Sequence, residues 1–485
     1  MSVGTVYAAP PGAPVGGRRS IACNSTEQQV SGAVPARIAA PQGHLSLLAR
    51  GSRAIVVGRH RLDRPGGGYT LSCMEELEGT GYGRTAIVPQ DDAFLTRVGF
   101  GTPVGELLRR YWQPVALSSE LGDLPRRIKI LDEDLVVFRD AKGRAGLLDA
   151  HCRHRGASLE YGRIEPEGIR CCYHGWLFDV EGRCLDQPCE PAASDYRDKV
   201  RQPWYRVHEY GGLVFGYMGP PDRVPAFPSF DILERDGIRL HAYRNYTRGV
   251  VADCNWLQIH ENAMDPMHTY VLHSKISGQQ FTPAFAVLPE IDFVTTPISV
   301  QYIRNATLPN GNRFHRVGEV FVPNYRSLPS QTPRGDQLIR EPGRFIGWWV
   351  PVDDTHTIGF HIEALPVVDG KAEGSVWAEA VPGLSNSNVP PPQSYEDTQR
   401  RPGDREAQTS QRPIAVHALE HLATSDMGVV RFRRLLRRAA EAVQRGEDPP
   451  GIVRGPGPAV IPVGSKNEIL PPAGPSDRRS RSSSA

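Results

Sequence analysis

Cysteine and histidine residues are concentrated in one short stretch of this 485-residue chain. Two turns each supply one thiol and one imidazole, Cys152-Arg-His154 and Cys171-Cys-Tyr-His174, with sixteen residues between the pairs. The chain has only eight cysteines, far below the density of a small secreted fold held by disulfides. The pattern therefore predicts a metal site that ties two turns together.

The ligand types narrow the choice of metal. A two-iron, two-sulfide cluster with two thiolates on one iron and two imidazoles on the other needs such a set, and the imidazoles raise its reduction potential. This is the signature of a Rieske centre, and its predicted ligands are Cys152, His154, Cys171 and His174. Zinc is one alternative, although zinc sites usually pair Cys with Cys and His with His. Buried structural thiols are another.

The residues around these ligands resemble a known family. The stretches Cys152-Arg-His-Arg-Gly-Ala-Ser-Leu and Arg170-Cys-Cys-Tyr-His-Gly-Trp-Leu-Phe-Asp179 look like the two cluster loops of Rieske non-haem iron ring-hydroxylating oxygenases. Respiratory Rieske proteins carry an additional cysteine in each loop, and the first loop here has none after His154. The resemblance is therefore to the oxygenase branch. Within that branch, the segment around Asp404 resembles phthalate-dioxygenase-like large subunits.

Other thiols and one imidazole lie close to the predicted ligands. Family spacing makes Cys171 the ligand and Cys172 its packed neighbour. We interpret Cys184 and Cys189 as ordinary thiols and His151 as a loop residue.

A second group of metal-binding residue types follows downstream. The stretch from Asn255 to His273 contains Glu261, Asp265 and His268. Non-haem Fe(II) that binds dioxygen uses two imidazoles and one carboxylate on a single face. A spacing of five does not align His268 and His273 on a regular helix, so a local irregularity or helix break is predicted between them. Taken alone, two such histidines are more often surface or core residues than metal ligands.

Asp265 has two interpretations. As the residue before Pro266 it could cap a helix whose first turn contains the proline. In the oxygenases that this stretch resembles, the aspartate hydrogen-bonds an iron-bound histidine and, across a subunit boundary, a histidine ligand of the neighbouring cluster. That role would make Asp265 a catalytic bridge for electrons.

The third iron ligand cannot be selected by spacing among the downstream carboxylates. Asp404 stands where phthalate-dioxygenase-like members place the iron aspartate. Gln411-Arg-Pro413 departs from the Gly-Pro pair that is usual there. Glu406, Asp397 and a purely structural role for Asp404 remain alternatives.

The order of patterns predicts an α+β chain. A small all-β Rieske domain is expected over 92–222 and a catalytic domain with an antiparallel sheet and helices over 223–445. The family resemblance implies a helix-grip-like form for the second domain. Residues 1–73 are expected to be disordered, a targeting peptide, or an extension due to a start codon placed too early. A closing helix is expected over 413–443, and residues 446–485 are expected to be a disordered tail.

Structural or solvating roles are the default interpretation for three further groups of residues. Trp348 and Trp349 are predicted to pack in a sheet strand, with substrate contact as the alternative. His356 and His361 are predicted to be structural. The arginines of the closing helix are expected to solvate one face, with reductase docking or a membrane contact as alternatives.

Charge and hydropathy exclude some classes of protein. Lys plus Arg number 56 and Asp plus Glu 54, so no overall field favours nucleic acid or an anionic membrane. No stretch of 18 or more apolar residues is present. A cytoplasmic, soluble protein is expected.

The resemblance implies the terminal oxygenase component of a multi-component enzyme. Such an enzyme hydroxylates an aromatic substrate with O₂ by mono- or dioxygenation, or removes a methyl group oxidatively. Electrons come from NAD(P)H through a flavin and iron-sulfur reductase, and a homotrimer or hexamer is implied. The alternative function is an electron carrier whose C-terminal domain is a non-catalytic binding module.

Overall fold

The strands and helices are defined in a computed structural model that describes residues 90–194, 196–244, 251–331, 335–372, 394–455 and 459–472. The predicted N-terminal extension, 1–73, lies outside these residues. No helix in the described ranges is both long enough and apolar enough to span a lipid bilayer.

Ten strands surround the predicted cluster loops. Six of them form an antiparallel sheet in the order β1-β10-β9-β4-β3-β2, and β5 to β8 form a second, four-stranded sheet. The strands are β1 (Trp112–Leu117), β2 (Arg126–Ile130), β3 (Glu133–Arg139), β4 (Ala145–Asp149), β5 (Arg163–Glu165), β6 (Gly168–Arg170), β7 (Leu177–Phe178), β8 (Cys184–Asp186), β9 (Trp204–Tyr210) and β10 (Leu213–Tyr217). The first ligand pair therefore follows β4, and the second lies between β6 and β7.

A larger antiparallel sheet forms the rest of the described fold. Its main path is β12-β20-β19-β17-β16-β15-β14, with β13, β18, β21 and β23 paired beside it. These strands, with the short β11 and β22, are β11 (Pro228–Phe230), β12 (Ile238–Arg244), β13 (Val251–Ala252), β14 (Glu290–Thr295), β15 (Ser299–Thr307), β16 (Arg313–Phe321), β17 (Tyr325–Ser327), β18 (Ile339–Pro342), β19 (Phe345–Asp353), β20 (His356–Val368), β21 (Lys371–Ala372), β22 (Ala459–Ile461) and β23 (Lys466–Leu470).

The helices are few and mostly short. They are α1 (Ala93–Thr96), α2 (Pro103–Arg109), α3 (Trp256–Asn262), α4 (His268–Val271), α5 (Tyr395–Arg400), α6 (Asp404–Thr409) and α7 (Met427–Gln444). The apolar residues of α7, spaced three and four apart, form a buried face.

The two faces of the large sheet have different surroundings, because successive side chains of a strand point to opposite sides. Trp348 lies on the face toward the cluster domain, where its ring centre is 5.4 Å from that of Phe215. Trp349 lies on the opposite face and packs in a small core with Ile259 of α3. Strand pairing places Arg326 on this second face. The face that carries Trp349 and Arg326 is called the helix side below.

Two predictions of secondary structure are wrong. The closing helix begins at Met427 rather than near Pro413, because residues 417–419 and 424–426 form only single 3₁₀ turns. The tail contains β22 and β23, and β23 pairs with β16 and β18. Short Pro- and Gly-rich connections suggested disorder, but alternate residues Asn467 and Ile469 are fully buried.

The domain boundary at 222 stays a prediction. A single buried apolar cluster includes residues from both sides of it, such as Val104, Phe215 and Phe360. The described residues also belong to one compact unit.

Candidate metal centres

The two predicted cluster loops adopt the same tight turn. Cys152 and Cys171 each donate their backbone N–H to the carbonyl five residues later, over 2.9 and 2.8 Å. Gly156 and Gly175 return an N–H to the cysteine carbonyls, over 2.8 and 3.1 Å. Their φ angles are +75° and +73°, a region that glycine adopts without steric cost. Each turn therefore holds its cysteine at the base and its histidine at the tip.

The four predicted cluster ligands converge between these turns. The rings of His154 and His174 are 4.4 Å apart between centres, at 75° to each other. Cys152 and Cys171 are both buried. The neighbouring thiol of Cys152 holds the pKa of Cys171 below its ordinary value, against the opposing effect of burial. His154 also stacks on Trp176, with ring centres 4.4 Å apart.

The donor set fits a Rieske cluster. Nδ1 of His154 is buried and has no hydrogen-bond partner among the described residues. Such a nitrogen costs about 1–3 kcal/mol when left unsatisfied, and an iron ligand position would satisfy it. Two thiols and two imidazoles are also the chemistry that the cluster requires.

The neighbouring thiols lie in different environments. Cys172 is exposed, so the prediction that it packs beside Cys171 is wrong: within the turn its side chain points away from the buried base. Cys184 is buried in the core around the cluster loops. Cys189 is exposed, and its Sγ lies 3.7 Å from the carbonyl oxygen of His174.

The segment with the two histidines changes its helical geometry between them. Asn255 caps α3 by accepting a hydrogen bond from Leu257 N over 3.1 Å. After α3, α4 begins at His268 and passes directly into a π-helical turn, Leu272–Ile276. This turn contains one more residue than an α-helical turn and brings the ring centres of His268 and His273 to 5.3 Å. The predicted helix irregularity is confirmed.

Asp404 meets both histidines from a distant part of the chain. It is the first residue of α6, and its Oδ1 lies 3.1 Å from Nε2 of His273 and 3.5 Å from Nε2 of His268. Ligand atoms of all three residues lie within 4.8 Å of one another. Glu406 instead accepts a hydrogen bond from the backbone amide of Gly403 at the start of α6. The carboxylate of Asp397 lies 3.7 Å from the guanidinium of Arg401.

Each of these three side chains has a polar partner. Oδ2 of Asp265 lies 3.5 Å from Nδ1 of His268, and its Oδ1 accepts a hydrogen bond from the His268 amide over 3.3 Å. Asn262 donates from Nδ2 to Oδ1 of Asp404 over 3.1 Å. Gln280 contacts Nδ1 of His273 through its amide oxygen. Asp265 therefore contacts His268, but the N-cap of α4 is Met267, so the prediction that Asp265 caps a helix with Pro266 in its first turn is wrong.

Electrostatics at Asp404 favour an anion. Burial raises the pKa of this carboxyl, but the charges of His273 and His268 and the hydrogen bond to His273 outweigh it and leave the pKa well below its usual range. Arg326 adds a smaller effect in the same direction. An anionic carboxylate beside two imidazoles is the donor set of non-haem Fe(II) sites, so the residues fit that metal.

Comparison with known proteins identifies the chain. Residues 111–203 match the model of the Rieske [2Fe-2S] domain. Phenoxybenzoate dioxygenase subunit alpha from Ectopseudomonas oleovorans is 42% identical over 390 residues, which cover 78% of this chain and 91% of that protein. The chain belongs to the Rieske non-haem iron oxygenases. The predicted family and its class of enzyme, an oxidoreductase that uses O₂, are thereby confirmed.

This Rieske oxygenase is also similar to two further proteins, one in sequence and one in structure. The oxygenase subunit of tert-butanol monooxygenase / tert-amyl alcohol desaturase from Aquincola tertiaricarbonis is 41% identical over 406 residues, covering 80% of this chain and 82% of that one. NdmA of Pseudomonas putida CBB5, solved with caffeine, superposes with a TM-score of 0.55 at 22% identity over 71% of this chain and 94% of that chain. The predicted α+β fold class, with its Rieske domain, is confirmed.

The family also establishes the cofactors of this Rieske oxygenase, a [2Fe-2S] cluster and a mononuclear iron. Both sequence relatives are named as oxygenase subunits, which favours the terminal oxygenase over the electron-carrier alternative.

Sequence reasoning missed Asn262 and Gln280. Asn262 lies inside the histidine motif and could have been noticed there. Gln280 carries no signal in sequence, because it reaches His273 only through the folding of a loop.

Proposed function

We propose that two sets of side chains hold the cofactors of this terminal oxygenase. The cluster ligands are Cys152, His154, Cys171 and His174, and the ferrous ion ligands are His268, His273 and Asp404. The main support is the meeting of Asp404 with two histidines more than 130 residues earlier. A ferrous ion there supplies dioxygen activation, and the cluster supplies electrons singly.

The replacement Asp404→Ala tests the iron site. We expect the variant to lose the mononuclear iron, because one of three protein ligands is removed, and to keep the cluster. Iron and acid-labile sulfide per chain, with EPR of the reduced cluster, measure the two centres separately. Glu406→Ala and Asp397→Ala are matched controls that should retain both. Mononuclear iron at the wild-type level in Asp404→Ala would contradict the assignment.

We propose an aromatic carboxylic acid as the substrate class. A relative that is 42% identical is named for phenoxybenzoate. On the helix side of the sheet, the guanidinium of the half-buried Arg326 lies 4.8 Å from the ring centre of Trp349. Its charge also acts on Asp404. A cation whose charge reaches the proposed iron site suits a substrate that carries a carboxylate.

A tertiary alcohol is the second candidate, because the other relative is named for tert-butanol. Oxygen uptake with a surrogate reductase separates the two, using a panel of aromatic acids, their neutral amides and tertiary alcohols. We expect uptake coupled to an oxygenated product, identified by mass, for the acids. Coupled turnover of the alcohols alone would reject the proposed class.

We extend this proposal to the partners of the oxygenase. A flavin and iron-sulfur reductase would deliver electrons from NAD(P)H. The chain would assemble in the cytoplasm as a homotrimer, or as a hexamer of two trimers, and this assembly would place Asp265 beside the cluster of a neighbouring subunit. Tyr173, at the tip of the second cluster loop, is 57% exposed, and the Asp265 side chain is 34% exposed, so both are accessible to a neighbour. Sedimentation velocity of the holoenzyme tests the assembly.

A further inference from the structure

The loop that follows the π-helical turn folds back onto the second histidine. Gly278 has a φ of +74°, a left-handed conformation that permits the reversal. The backbone amide of Gln280 then donates to the carbonyl of His273 over 2.9 Å. This backbone hydrogen bond also brings the side chain of Gln280 close to the imidazole ring of His273.

This loop also contacts the segment that carries the third ligand. Oγ of Ser277 donates to the carbonyl oxygen of Pro402 over 2.5 Å, two residues before Asp404. On the other side, the ring of Phe281 lies 4.5 Å from that of His273, between centres. Ser277, Gln280 and Phe281 of this loop therefore contact either His273 or the segment that carries Asp404.

The side-chain contact of Gln280 determines which ring nitrogen of His273 is available. An amide oxygen only accepts hydrogen bonds, so its contact with Nδ1 requires a proton there. His273 must be neutral to bind a metal, and in that form the other nitrogen, Nε2, carries the lone pair. Nε2 is the atom that faces Oδ1 of Asp404 at 3.1 Å. Without an acceptor at Nδ1, the opposite tautomer is no longer disfavoured. In that tautomer Nε2 carries the proton and cannot bind a metal.

The two histidines differ in their partners. Nδ1 of His268 faces the carboxylate of Asp265 at 3.5 Å, whereas Nδ1 of His273 faces a neutral amide. A carboxylate partner increases the basicity of an imidazole ligand more than an amide does. The two imidazoles are therefore unequal donors.

We propose that Gln280 is a positioning residue for the mononuclear iron: it holds His273 as the Nδ1–H tautomer with Nε2 directed to the metal. This proposal rests on the iron site proposed above. It adds a residue that sets both the affinity for iron and the symmetry of its ligand field.

The experiment uses the full chain with its cluster intact, stripped of mononuclear iron and titrated anaerobically with Fe(II). Gln280→Met, of similar length but without an acceptor, should lose about 10–100-fold in Fe(II) affinity, the usual cost of removing such a partner. Gln280→Glu restores an acceptor and should retain the affinity. Its negative charge should change the EPR line shape of the nitric oxide adduct of the ferrous site. Gln279→Met is the matched control, because Gln279 is the exposed preceding residue, and should match the wild type.

The outcomes separate this proposal from the one it rests on. If the wild type binds no ferrous ion beside a filled cluster, the iron site itself is wrong. If the wild type binds it and Gln280→Met binds equally tightly, the role of Gln280 is wrong. If Gln280→Met does not fold, Gln280→Glu decides, and an EPR line shape identical to the wild type would overturn the proposal.

Discussion

At the scale of single residues, Arg326 can separate substrate binding from metal binding. It lies on the helix side of the sheet with Trp349, but it is not one of the three residues whose ligand atoms meet. We expect Arg326→Gln to raise KM for an aromatic acid about 10–100-fold, because a hydrogen bond to a charged group contributes roughly 1.5–3 kcal/mol. Steady-state oxygen uptake measures KM and kcat separately.

Two comparisons make the Arg326 result specific. The KM for the neutral amide of the same acid should change little in Arg326→Gln. Arg340→Gln, at an exposed arginine of β18, should leave both KM values unchanged. Equal losses for the acid and the amide, or loss of mononuclear iron, would mean that Arg326 supports the site without binding the carboxylate.

Residues of the two centres differ in how far sequence predicts them. The cluster ligands and the two histidines lie within short turns, so their spacing already expresses the geometry that a metal requires. Asp404 is brought in from a distant segment, and only resemblance to a family could select it over Glu406. Gln280 was not predictable at all, since a glutamine in a loop is chemically ordinary until the loop folds against His273.

At the scale of elements, α7 and α3 are joined by a buried ion network. Arg433 of α7 lies 2.6 Å from Oε2 of Glu261 in α3 and 3.0 Å from Oε1 of Glu420. The prediction that the arginines of this helix only solvate a face is therefore wrong for Arg433. In sequence, Arg433 lies outside the apolar face of α7 and was expected to be exposed. In the structure, α3 and the segment before α7 cover it.

Removing Arg433 should destabilise the protein, because Glu261, which is 7% exposed, would keep a buried charge without its partner. We expect Arg433→Met to lower the free energy of unfolding by about 3–5 kcal/mol, as measured by urea denaturation of the holoenzyme. Arg434→Met, at the exposed next position, should have an effect within about 0.5 kcal/mol. A similar loss in both variants would indicate a general effect on the helix.

The element boundaries that sequence missed have a common cause. The π-helical turn was expected because a spacing of five conflicts with an α-helix. In contrast, β23 has only a weak pattern of its own and forms because β16 and β18 offer it unpaired edges. Strands that complete a sheet from afar depend on tertiary contacts that local periodicity does not contain.

At the scale of the whole molecule, buried neutral histidines make stability depend on pH. His260 and His361 are at most 3% exposed. Burial, with a smaller contribution from the charge of Arg326, lowers the pKa of each to about 3. An unfolded chain protonates histidine near its ordinary pKa of about 6.5. The stability from keeping these rings neutral is therefore present above about pH 6.5 and is lost as the pH falls from there toward 3.

Replacing one of these buried histidines should remove its contribution to the pH dependence of stability. Each histidine contributes a slope of about 1.4 kcal/mol per pH unit in that range, so His361→Phe should show a correspondingly shallower loss of unfolding free energy than the wild type. Urea denaturation of both proteins at pH 6.5, 5.5 and 4.5 measures the difference between their slopes. The contributions of the other titrating groups are common to both proteins and cancel in this difference. His151→Phe, at an exposed position, should follow the wild-type slope. A wild-type slope in His361→Phe would show that the ring takes up its proton without unfolding, and hence that water reaches this side of the sheet.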